Sequence, residues 1–134
     1  MTDDAPIIAP FEITGWEQSA YGEEGEPTGL ARATVSKVFT GDIEGESTAE
    51  LLMASNPVGA GYVASEVFTG VVNGRAGSVV IQHGGLAEGD DAHGFGSIVP
   101  GSGTGELSGA RGEALYSNGD EGHTLTLTLR FVAE

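Results

Sequence analysis

The stretch GYVASEVFTGVVNGRAGSVVIQH, residues 61–83, decides the fold. At its centre, Asn73-Gly74 is the strongest short hairpin signal in the chain, since both residues tolerate the positive φ of a tight two-residue turn. On one side of that turn Tyr62, Ala64, Glu66 and Phe68 recur at every second position, the period of a strand. The other side, Arg75–His83, reads as the returning strand.

The same grammar extends in both directions. Upstream, Ala31–Thr40 alternates, Gly41–Gly45 turns the chain, and Glu46–Met53 returns as a further hairpin. Thr48–Ala54 (TAELLMA) is the best helix candidate, but it is short and continues a strand-like run, so it reads as strand. The turn Asn56-Pro57-Val58-Gly59 leads into Gly61–Val72, and Ile7–Gln18 is a first strand carrying the only tryptophan, Trp16. Between them Gln18–Gly29 is acidic and bears Gly and Pro, the composition of a mobile loop. Downstream, the acidic loop Gly84–Asp91 precedes the strands His93–Val99, Gly105–Leu107, Gly112–Tyr116 and His123–Phe131.

About eight strands joined by hairpins, with no helical crossover, predict an all-β chain folded as a single antiparallel β-barrel domain over residues 1–134. Closure removes the exposed edges of an open sheet. An immunoglobulin-like sandwich is the alternative, but its Cys-Trp-Cys landmarks are missing.

Composition narrows the function classes. Twenty acidic residues face five basic ones, for a net charge of −15, and Lys37 is the only lysine. Such a surface repels nucleic acid and anionic lipid, so neither is an expected partner. Cysteine is absent, which excludes disulfides, a thiol nucleophile and thiolate-held metal. The N-terminal MTDDAPIIAPF has neither the basic region nor the long apolar run of a signal peptide, and the cytoplasm is the default compartment.

Candidate chemistry starts from the Gly41–Gly45 turn. If Thr40 pairs with Gly45, then Lys37 sits diagonally between Glu46 and Glu50, with Phe39 opposite Glu46. The Tyr62/Glu66/Phe68 face supplies a further carboxylate. Pointing inward, this face gives Glu46, Glu66 and Lys37 as acid–base groups with perturbed pKa values, and Phe39, Tyr62 and Phe68 as aromatic ligand contacts. Pointing outward, it is a solvated salt-bridge ladder. The opposite face of the Lys37 strand is also polar, so periodicity leaves inside and outside open.

Trp16, Gln82 and His83 complete the expected ligand contacts, the last two reaching a pocket mouth from a strand end. His83, His93 and His123 lack the His-X-His pattern of cupin metal barrels, and no metal is expected. The glycine-rich GSGTGELSGARGEA, residues 101–114, has no lysine and no following helix. It is therefore a bend rather than a phosphate loop, with Arg111 expected beside Glu106 or Glu113.

FTGDIEGES (39–47), VVNGRAGSVVIQHGG (71–85) and VPGSGTGELSGARGEA (99–114) together resemble a family of small bacterial proteins, the domain-of-unknown-function family 3224. The resemblance runs from about Ala31 onward and implies an allene-oxide-cyclase-like β-barrel. More distantly, GTGELSGARG is similar to segments of plant dirigent proteins and allene oxide cyclases. Those relatives enclose an apolar ligand and guide cyclisation or coupling without a cofactor. The resemblance thus implies a small-molecule barrel, either a cofactor-independent cyclase or isomerase acting on an apolar substrate, or a non-catalytic binding protein. A barrel filled by its own side chains is the third alternative. No cofactor is expected; the expected partners are a small apolar molecule and further copies of the chain in a homo-oligomer.

Overall fold

The computed structural model describes residues 5–119 and 122–133. They form nine strands: β1 (Ile7–Tyr21), β2 (Gly29–Phe39), β3 (Ile43–Ser55), β4 (Gly59–Val72), β5 (Arg75–Glu88), β6 (Asp91–Ile98), β7 (Thr104–Gly105), β8 (Ala110–Gly119) and β9 (Gly122–Phe131). Every pairing is antiparallel, and β1 through β6, then β8 and β9, close into a ring through the β9–β1 pairing. The ring is the expected barrel. It has eight positions because the two-residue β7 pairs with β5 at Gly77 and Ser78, below the point where β6 leaves it. No helix of the described residues is long and apolar enough to cross a membrane.

Asn73 and Gly74 adopt φ of 50° and 86°, the left-handed pair that a two-residue turn needs, and they join β4 to β5 as expected. Other details depart from the sequence reading. β1 runs to Tyr21, with Gln18 paired to Ala33 and Tyr21 to Leu30, so the acidic connection is residues 22–28 rather than Gln18–Gly29. Backbone pairing outweighs local polarity there.

The β2–β3 register also differs by one residue. Phe39 pairs with Gly45, Lys37 with Ser47 and Val35 with Ala49. A one-residue slip exchanges the two faces of a strand. Ser47 and Ala49 therefore point inward, and Glu46 and Glu50 are exposed.

A bulge in β1 between Ile13 and Gly15 resets its parity. Phe11 and Ile13 face inward before it, Trp16 and Gln18 after it, and all four border the lumen.

The interior is unevenly filled. One end holds the main core, with Phe11, Phe39, Ile43, Phe68, Ile81, Leu107 and Leu125 all buried. Each such side chain contributes about 1.5–3 kcal/mol by burial. Residues 101–114 close this end. Leu107 is drawn under the barrel while the Glu106 amide donates to the Ala76 carbonyl (2.8 Å) and the Ala76 amide to Glu106 Oε1 (3.0 Å). Gly109, at φ 84°, carries the chain into β8 where any Cβ would collide with the Val132 carbonyl. The expected strand at Gly105–Leu107 is thus a turn beyond Gly105. Glu106 is engaged by the Ala76 amide, and Arg111 Nη1 donates to the Ala110 carbonyl (3.1 Å).

Candidate functional site

Above this core four neighbouring strands each contribute one buried polar side chain: Lys37 from β2, Ser47 from β3, Glu66 from β4 and His83 from β5. The successive pairings Lys37–Ser47, Ala49–Glu66 and Ala64–His83 place them on a diagonal across the inner face. Glu66 is completely buried at their centre. Its Oε1 accepts from Lys37 Nζ (2.9 Å) and His83 Nε2 (2.8 Å), and its Oε2 accepts from Ser47 Oγ (2.5 Å).

A carboxylate only accepts, so His83 Nε2 carries a proton. In the neutral ring Nδ1 then accepts from the Tyr62 hydroxyl at 2.9 Å. Glu66, His83 and Tyr62 thus form a carboxylate–imidazole–phenol chain leading toward the lumen.

The charge state of Glu66 follows from competing effects. Burial disfavours its ionised form, but the His83 hydrogen bond, the Lys37 charge, and the Ser47 and Lys37 hydrogen bonds outweigh that and hold its pKa at about 2. Burial, reinforced by the Glu66 charge, raises the pKa of Tyr62 and Tyr116, so both phenols stay protonated. Lys37 is only 7% exposed, and its ammonium also rests over the rings of Phe11 (4.9 Å) and Tyr116 (4.4 Å). Tyr116 packs on His83 with ring centroids 4.1 Å apart, and its buried hydroxyl has no hydrogen-bond partner among the described residues.

This layer is the floor of a cavity of about 880 Å³ that opens at the opposite end of the barrel. Lys37, Tyr62, His83 and Tyr116 border it, whereas Glu66 lies beneath and orients two of them. The walls are apolar, with Ala31, Val35, Leu51 and Met53 on β2 and β3 and Trp16 at the mouth. Trp16 Nε1 donates to Gln18 Oε1 (2.8 Å).

The residues singled out in the sequence separate into three groups. Lys37, Glu66, Tyr62 and His83 come together at the floor, and Trp16 stands at the mouth. Phe39 and Phe68 lie below the floor, packed edge-to-face with centroids 5.6 Å apart, and belong to the core rather than the cavity wall. Glu46 and Gln82 are exposed on the outer face, where Gln82 Nε2 donates to Ser65 Oγ (3.1 Å). Ser47 and Tyr116 were not singled out. Alternation along Gly112–Tyr116 marks Tyr116 as a candidate, whereas Ser47 emerges only from the correct β2–β3 register. His83 is buried, His93 borders the mouth, and His123 stacks on Phe11 (5.2 Å). No group of three or more His, Asp or Glu side chains among the described residues is placed to hold a metal ion.

The family model for proteins of unknown function DUF3224 matches residues 7–131. The chain belongs to the DUF3224 family. Its fold is shared by a crystal structure of a DUF3224-family protein of unknown function from Shewanella oneidensis MR-1. That protein is 28% identical, with a TM-score of 0.84 over 97% of this chain and 98% of the other. No curated protein matches the chain. Among the features of this DUF3224 member, the polar layer beneath an open apolar lumen is where side-chain chemistry is concentrated.

Proposed function

We propose that the protein takes a small, largely apolar molecule into the open half of its barrel and presents it to the Lys37–His83–Tyr62 floor. The observation that carries this reading is the cavity of about 880 Å³, apolar along its walls and polar only at its inner end. Ligand sites of this size pair an apolar enclosure with a few convergent polar groups. The floor is equipped for proton transfer without a cofactor, because Glu66 orients His83 and His83 in turn contacts Tyr62. Cofactor-independent isomerisation or cyclisation is the reaction class this arrangement suits, in line with the distant resemblance of residues 103–112 to a segment of allene oxide cyclases.

A second reading, binding without turnover, is favoured by one feature. Both His83 nitrogens and both Glu66 oxygens are already hydrogen-bonded within the protein.

The single tryptophan at the mouth provides the test. Titration with the uncharged fluorophore N-phenylnaphthylamine is expected to give saturable energy transfer from Trp16. Ala31→Phe, which fills the throat, should weaken it at least about tenfold. Absence of saturable transfer, or transfer indifferent to Ala31→Phe, would remove the cavity from consideration.

A further inference from the structure

Charge and hydrogen-bonding capacity around the cavity narrow its ligand further. Lys37 is the only Lys or Arg side chain at the floor, and it is already paired with Glu66 at 2.9 Å. A ligand carboxylate placed on Lys37 would bring a second anion close to Glu66 in a region sheltered from water. The mouth adds to this exclusion. The turn at residues 22–28 contributes Glu23, Glu24 and Glu26, and the β5–β6 turn contributes Glu88, Asp90 and Asp91. Neither turn contains Lys or Arg. Arg75, Arg111 and Arg130 sit at the closed end, where Ala110 pairs with Phe131 and the β4–β5 hairpin turns, and the remaining arginine, Arg32, is exposed on the outer face over the Tyr21 ring.

The spare capacity of the floor is mainly of donor type, two N–H groups of Lys37 and the unpartnered Tyr116 hydroxyl, which can also accept. Glu66 lies beneath the floor and accepts from Lys37, His83 and Ser47, and both His83 nitrogens are engaged by Glu66 and Tyr62. Lys37 has three N–H groups and spends one on Glu66, while aromatic faces border its ammonium as neighbours only. The lone pairs left on the Tyr62 oxygen are the weaker partner. An acceptor arriving down the apolar shaft meets Lys37.

We propose that the cavity selects uncharged carbonyl compounds, whose apolar body fills the shaft and whose oxygen accepts a hydrogen bond from Lys37. The inference deepens the small-molecule reading above and rests on it.

Displacement of bound N-phenylnaphthylamine by three ligands sharing one ring system tests it: acetonaphthone (ketone), naphthoate (anion) and ethylnaphthalene (no acceptor). Acetonaphthone is expected to displace the probe at about tenfold lower concentration than either of the others. Its advantage over ethylnaphthalene should vanish in Lys37→Met/Glu66→Gln, a charge-free pair whose amide oxygen still faces the His83 and Ser47 donors. Naphthoate binding as tightly as acetonaphthone, or ethylnaphthalene matching it, overturns the proposal while the cavity reading stands. If neither the probe nor any of the three ligands binds, the cavity reading falls and the proposal with it. Should the double variant fail to fold, the wild-type series alone decides.

Discussion

The closed and open halves of the barrel share the same strands and the same hydrogen-bond ladders, yet one is packed and the other hollow. The difference lies in the inward side chains. β2 carries Phe39 in the closed half and Ala31 and Ala33 in the open half; β4 carries Phe68 and Val72 against Ala60 and Ala64, which flank the floor residue Tyr62. On β5, Val79 and Ile81 give way to Gly85 and Ala87, and on β6, Ile98 gives way to Gly94 and Ala92. An eight-stranded ring has a nearly fixed interior width, so small inward residues leave space that nothing else fills. The cavity is thus a gradient of side-chain size along continuous strands. The buried ion pair sits at the boundary, where the core below excludes water and the lumen above gives access.

Substitutions that probe the two halves should differ in cost. Phe39→Ala, which hollows the packed end, is expected to destabilise by about 3–5 kcal/mol in chemical denaturation. At the boundary, Glu66→Gln leaves the Lys37 ammonium buried without its counter-charge and is expected to cost about 3 kcal/mol. Adding Lys37→Met to Glu66→Gln removes the unpaired ammonium and keeps an acceptor for His83 and Ser47, so it should recover most of that loss; a double variant less stable than Glu66→Gln would mean that the Lys37 side chain stabilises the fold by more than its charge.

Acid should reveal the same pair. The Glu66 pKa is about 2 in the folded protein, against 4.5 for an unperturbed carboxyl. A carboxyl whose pKa is depressed on folding contributes stability that is fully present above its unfolded pKa and lost as pH falls through the folded one. The gap corresponds to about 3 kcal/mol, lost between pH 4.5 and 2, and Glu66→Gln should flatten this part of the stability profile.

In the open half Met53 already borders empty space, so Met53→Ala should cost less than about 1 kcal/mol while changing probe affinity. The contrast between halves breaks if it costs as much as Phe39→Ala. Glu46→Gln, on the outer face, should change both stability and probe binding least, within about 0.5 kcal/mol.

Much of this was legible in the sequence. Alternation placed Tyr62, Glu66 and Phe68 on one face, and Asn73-Gly74 marked the hairpin that joins their strand to His83. Glu46 and Ser47 were not separable by pattern, because Gly45 allows either residue pairing across the turn and both faces of β2 carry polar side chains. Only the packing of Phe39 and Ile43 against the core selects the register that brings Ser47 to Glu66. Trp16 was expected to meet a ligand, but its inward direction depends on the bulge at Ile13–Gly15, for which the isolated Gly15 is the only local signal.

Strand identity, hairpin order and the acidic surface follow from local preferences and composition, and those are properties of the chain alone. The depth of a residue within the barrel is not local. Phe39 and Tyr62 have equally inward-facing positions on their strands, yet strand pairing around the ring puts one beneath the polar layer and the other above it. Whether Lys37 meets a carboxylate, water or a ring depends on side chains from β1, β4 and β8, far apart in the chain and adjacent only once the ring closes.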